Sequence, residues 1–141
     1  MLKTIVEASE NFCIHQIRKP YVLHDTIQTQ KILIAYIDIN TTDAKKHRVY
    51  LGSDTNFMQR IAKIFLEEDE SDEETLIDMA LETANLIVGS AKVIAEESSV
   101  DTYTIGTPNF EKYDLFDCEY DQIQYIEIDN DILLVAIKEL N

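Results

Sequence analysis

The chain is short of the residues that build covalent or metal frameworks. It has two cysteines, Cys13 and Cys118, far apart in sequence, too few for a disulfide framework. Cys13 and His15 would be a tempting metal pair, but no Cys-x-x-Cys accompanies them, and His24 and His47 are not at ligand spacing to each other. Structural places for these side chains are the simpler reading. Glycine is scarce, with three residues. None of the GxGxxG, GxxxxGK-Ser/Thr or GxSxG patterns occurs, which removes the commonest phosphate-cradling and nucleophile-elbow chemistries. Basic residues are few as well, 12 against 27 acidic ones, for a formal charge of −15. Phosphate backbones and anionic membrane surfaces are repelled by such a field, so nucleic acid and membrane are excluded as partners. Solubility accounts for most of the acid excess. No apolar run approaches the roughly 18 to 20 residues that span a bilayer. The segment Met1–Glu7 has no apolar stretch followed by a cleavage site, so a cytoplasmic protein is expected.

What is present suits one compact domain over residues 1–141, with 45% hydrophobic residues for its core. Apolar positions at Leu2, Ile5, Val6, Phe12, Cys13 and Ile17 predict a helix that ends before Pro20. Residues 31–39 read as a strand buried on both faces, and His47–Leu51 as its hairpin partner across a polar turn. Asp54 caps a short helix carrying Phe57, Met58, Ile61, Ile64 and Phe65. The acidic stretch 67–74 reads as a solvated connection running into a long helix over about 73–97. Ser71 or Asp72 is its cap, with Glu74 completing a capping box after Ser71. Strands follow at 101–105, 120–128 and 132–137, the last two joined by the turn Asp129-Asn130-Asp131. Residues 106–119 carry no clear pattern. Helices interleaved with hairpins predict an α+β fold, with helices packed on a mainly antiparallel sheet.

The long helix has an unusual distribution of side chains. At about 100° per residue, Ala80, Ala84, Ile87, Val88, Ala91, Ile94 and Ala95 fall on one wide arc, the expected core face. Met79, Leu86 and Val93 are apolar but lie to the side, and for Met79 and Leu86 the core is the expected place. Asp78, Glu82, Asn85, Gly89 and Lys92 share a stripe about 80° wide by the same geometry. Periodicity alone makes this stripe the solvent edge of the helix. Gly89 and Asn85 weigh against that. Glycine in a helix interior costs about 1 kcal/mol relative to alanine, and asparagine competes for backbone groups. A docking face with a reactive carboxamide uses both residues, whereas a solvent edge needs neither.

The pattern Asp78-x-x-x-Glu82-x-x-Asn85, continued through Gly89 to Lys92 and followed by Pro108, resembles the active-site motif of the CheC/CheX/FliY phosphatases of bacterial chemotaxis. The order of elements over roughly residues 30–140 resembles CheX, and the single motif matches the CheX rather than the duplicated CheC arrangement. The resemblance implies hydrolysis of the aspartyl phosphate on a CheY-like response regulator. Asn85 would place the attacking water, because a neutral carboxamide both donates and accepts hydrogen bonds. Glu82 would pair with the regulator's active-site lysine. Asp78, Gly89, Lys92 and Pro108 would belong to the docking surface. The chain itself would need no metal or cofactor, Mg²⁺ being expected on the phosphorylated partner, and a homodimer is implied by analogy. Two rivals stand beside this reading. One is a non-catalytic module of the same fold that binds a regulator or a flagellar switch component. The other is an acidic α+β domain whose seam has nothing to do with phosphate.

Overall fold

In the computed structural model, which describes residues 2–24, 30–98 and 102–140, three helices lie on one face of a seven-stranded sheet. The chain opens with α1 (Leu2–Phe12), which widens into a π-helical turn at Cys13–Ile17 and stops where Arg18 adopts a left-handed conformation. The strands are β1 (Val22–His24), β2 (Ile32–Thr41), β3 (Lys46–Ser53), β4 (Tyr103–Ile105), β5 (Asn109–Asp114), β6 (Gln122–Ile128) and β7 (Asp131–Glu139). Between β3 and β4 run α2 (Thr55–Leu66) and α3 (Glu73–Glu97). The sheet order is β1-β6-β7-β3-β2, with both β4 and β5 on the far side of β2, and every pairing is antiparallel.

Alternation in the strands sorts the core into two layers. Leu33, Ala35, Ile37 and Ile39 of β2, Val49 and Leu51 of β3, and Leu133, Val135 and Ile137 of β7 face the helices. They meet Ile5, Phe57, Ile61, Ala80, Ala84, Ile87, Val88 and Ala91 there. Each fully buried Val, Leu, Ile or Phe among them contributes about 1.5–3 kcal/mol, the alanines less. On the opposite face Ile32, Ile34, Tyr50, Tyr125, Ile132, Leu134 and Ala136 form a second apolar layer. It is backed by the segment after β5, where Phe116 meets Tyr50 edge-on at 5.5 Å. This is why β2 and β7 read as continuous apolar runs: both of their faces are covered.

Two strands escape the sequence reading. β1 is three residues long, too short to show a period. β5 lies within 106–119, where β4 and β5 form one interrupted edge. Ile39 pairs with Ile105 and Tyr36 with Asn109, so the edge carries one more residue than β2 between these points. Pro108, which has no N–H to give, stands in that interruption. Gly106 is needed there for a different reason. Its N–H donates to the Asp38 carbonyl at 2.8 Å, and a Cβ on it would lie 2.9 Å from that oxygen. The strand expected from residue 101 begins at Tyr103, residue 101 itself lying outside the described residues.

Candidate functional site

The start of α3 is set by α2. Asp54 caps α2, one carboxylate oxygen accepting from the Phe57 N–H at 2.8 Å and the other from the Ile132 N–H at 3.1 Å, which ties the helix to β7. Burial raises the Asp54 carboxyl above its ordinary range even though these two donors favour the charge. From α2 the Gln59 amide grips the backbone of Ser71 twice, donating to its carbonyl and accepting from its N–H, both at 2.9 Å. The acidic connection is therefore clamped rather than loose. Asp72 caps α3 by accepting from the Thr75 N–H at 2.9 Å. The Ser71–Glu74 capping box does not form, because the Ser71 hydroxyl donates to Glu68 instead. Glu73 and Glu74 occupy the first turn, as the helix dipole favours.

Alanines let α3 lie close to the sheet: Ala80, Ala84, Ala91 and Ala95 are buried. The helix is pinned further along by Tyr103 of β4, whose buried phenol donates to the Val88 carbonyl at 2.9 Å. Position and rotation of α3 are thus determined from both sides.

This rotation decides what faces outward. Asp78, Glu82 and Asn85 are exposed, and Gly89 is half-exposed on the same face. Among the described residues the side chains of Glu82 and Asn85 have no hydrogen-bond or ion-pair partner. Their positions are separated by about 4.5 Å along the axis at 1.5 Å per residue. At Gly89 a Cβ would meet nothing within 4 Å, so the fold itself has no use for a glycine there. Lys92 is half-buried and belongs to a different neighbourhood. It lines a cavity of about 270 Å³ with Thr41, Glu96 and Tyr103, against the end of β2. Pro108 is half-buried in the interrupted edge described above, on the sheet rather than on α3.

The open face is also displaced from the expected stripe. Leu86, Ser90 and Val93 are exposed, whereas Leu81 and Lys92 on the other flank are half-buried. Leu86 is therefore a surface residue, contrary to the core place expected for it, while Met79 is buried as expected. Thr83, read as neither core nor site, is buried. On the Lys92 flank α3 lies against the end of β2 and the strand that carries Tyr103, whereas on the Leu86 flank α1 packs beside it but leaves an apolar recess between Phe12, Phe65, Leu86 and Ile87.

The Cys13/His15 pair does not converge. Cys13 is buried, its thiol pushed up to about 12 chiefly by desolvation, and His15 is exposed. Among the described residues no group of three or more His, Cys, Asp or Glu could hold a metal ion. Nor is any helix there long and apolar enough to cross a membrane.

With this geometry in place, solved structures of low sequence identity superpose over nearly the whole chain. The chemotaxis protein CheX from Vibrio vulnificus has a TM-score of 0.78 at 14% identity, covering 96% of this chain and 95% of the other. CheX from Desulfovibrio desulfuricans gives 0.77 at 16%, covering 98% and 97%. The CheX–CheY–BeF₃–Mg²⁺ complex from Borrelia burgdorferi gives 0.66 at 13%, covering 99% and 97%. No curated protein matches the sequence. The family model for chemotaxis phosphatase CheX matches residues 35–129, which run from β2 through α3 to the end of β6 and include the whole seam. On that match, extending over more than half of its length, the chain belongs to the CheX family of chemotaxis phosphatases.

Proposed function

We propose that this protein hydrolyses the aspartyl phosphate of a CheY-like response regulator, using Asn85 to place water and Glu82 to seat the partner. One observation carries the reading: Glu82 and Asn85 stand exposed and unpaired on one face of α3, beside a glycine that the fold does not need. Neither side chain is committed to a hydrogen bond or ion pair within the fold, so both are free to engage a partner. The Borrelia relative solved with CheY, BeF₃ and Mg²⁺ adds that this fold can receive such a partner.

The chemistry follows from what each group can do. A receiver domain brings its own phosphoryl group, Mg²⁺ and lysine. Missing is a water held in line with the scissile bond. The Asn85 carboxamide offers one acceptor and two donors, enough to hold a water while remaining neutral beside phosphoryl oxygens. A carboxylate at the same place would be repelled. Glu82, about one turn earlier, presents the negative charge that suits the regulator's lysine. Asp78 and Gly89 extend the docking face, while Lys92 and Pro108 would touch the partner only at its margins. In this reading the chain needs no cofactor of its own, works in the cytoplasm, and pairs as a homodimer.

The test is phosphate loss from a purified, phosphorylated CheY-like regulator. Wild type should accelerate it. Asn85→Ala and Asn85→Asp should each reduce kcat by about 100-fold or more, the scale expected when a reacting group loses its position, with unchanged circular dichroism. Glu82→Ala should act mainly through KM. If wild type binds the regulator and leaves its phosphate lifetime unaltered, the protein is a non-catalytic module and the hydrolase reading is wrong.

A further inference from the structure

We infer that the recess between α1, α2 and α3 is the specificity pocket of the docking face, receiving one apolar side chain carried by the regulator beside its phosphorylated aspartate. This assignment rests on Asn85 docking against such a regulator. The recess holds about 270 Å³. Leu86 forms its near wall and Phe65 and Phe12 its far wall, their rings 6.3 Å apart, with Ile87 at the back and Asn11 and His15 at the rim. A space of this size takes a side chain, not a helix, whose diameter with side chains is about 10 Å.

Continuity with the seam selects the occupant. Leu86 follows Asn85 in the chain, about 100° further round the helix. The exposed face runs from Asn85 through Leu86 and Ser90 into the recess without a buried residue on that flank. Anything that brings a phosphoryl group to the Asn85 carboxamide must lay its adjoining surface against Leu86. A second copy of this chain seated there would cover Asn85 and exclude the substrate. Leu86 and Phe65, which both line the recess, are 40% and 39% exposed. Contiguous apolar surface of this kind, rimmed by polar groups, marks an interaction site. The opposite flank, with Lys92 and Glu96, offers no such surface. Glu82 and Asn85 would thus recognise what all phosphorylated receivers share, and the recess would choose among receivers by the residue next to the phosphate.

Two exposed positions test this without touching the core: Leu86→Ala removes the near wall, and Ser90→Phe fills the recess. The probe is a CheY-like regulator charged with beryllofluoride and Mg²⁺ for binding by calorimetry, and the phosphorylated regulator for kinetics. Both variants should weaken binding by about tenfold or more, with the loss falling on KM rather than kcat, while sedimentation shows the oligomeric state of wild type. Normal binding by both variants, beside an active wild type, overturns the pocket and leaves the hydrolase reading intact. So does a loss confined to kcat. A change of oligomeric state makes a second copy the occupant and overturns it as well. Wild type that neither binds nor hydrolyses overturns the hydrolase reading, and the pocket with it.

Discussion

Gly89 is the residue at which stability and function should pull apart. Its surroundings are open, its backbone is regular α-helix, and a methyl group would clash with nothing. Gly89→Ala should therefore raise the unfolding free energy by about 1 kcal/mol, the helix-propensity difference in an exposed interior. If the seam receives a partner closely, the same methyl should slow dephosphorylation of the regulator. Urea unfolding and phosphate release on one protein preparation read both. A variant that is more stable and fully active would leave Gly89 without a role in docking. Asn85 carries a parallel case: its side chain has no hydrogen-bond partner in the fold, so Asn85→Ala should raise the unfolding free energy slightly, by about 0.5 kcal/mol through helix propensity, while it removes the phosphatase activity.

At the level of elements, α3 is a platform whose position depends on its neighbours' polar contacts as much as on its apolar face. The Gln59 clamp on Ser71 is the clearest of these, because Ser71 is buried and both its backbone groups would be stranded without it. Gln59→Ala should cost about 1–3 kcal/mol, the penalty for buried polar groups left unpaired, and should expose the connection 67–72 to proteolysis. An unchanged denaturation midpoint with unchanged cleavage would show that Asp72 alone holds the start of α3. The edge built from β4 and β5 supports the platform from the other side. Its break at Pro108 and the tight approach of Gly106 to Asp38 keep two short strands on one partner, β2.

For the molecule as a whole, charge governs the response to pH. At −15 the folded chain repels itself, so lowering the pH from 7 towards 5 should not destabilise it. Acid should then act through carboxylates that the fold holds ionised. Asp38 is one: the Arg48 guanidinium grips it at 2.7 and 3.0 Å across the hairpin and holds its carboxyl below the usual range. Backbone and lysine donors do the same to Asp121, and Lys19 to Asp129. A depressed carboxyl contributes stability that is present above its unfolded pKa, about 4, and lost as the pH falls through the folded value. Asp54 works the other way, since its raised carboxyl favours the fold once protonated. Depressed groups outnumber it, so stability should fall below about pH 4. Asp38→Asn should flatten that acid limb in urea midpoints taken from pH 3 to 7. An acid limb of full slope in the variant would remove Asp38 from this account.

Local pattern in the chain was enough for α1, α2, α3, the β2–β3 hairpin and the β6–β7 turn, because period, caps and turn residues are short-range physics. Asp54, Asp72 and the left-handed pair Asp129 and Asn130 act within a few residues of themselves. The seam from Asp78 to Gly89 was legible for the same reason: a helix places residues three and four apart on one face wherever it sits. Tertiary packing decided the remainder. β1 and β5 exist because β6 and β2 offer them edges, and neither has enough alternation of its own. Ser71 lost its capping box to Gln59 and Glu68, partners that pattern reading within the helix did not weigh. Leu86 was assigned inward by its apolarity and stands outward, because the direction a helix faces is set by α1, β4 and the sheet together. The recess beside it joins residues 12, 65 and 86, and only packing brings positions so distant in the chain to one wall.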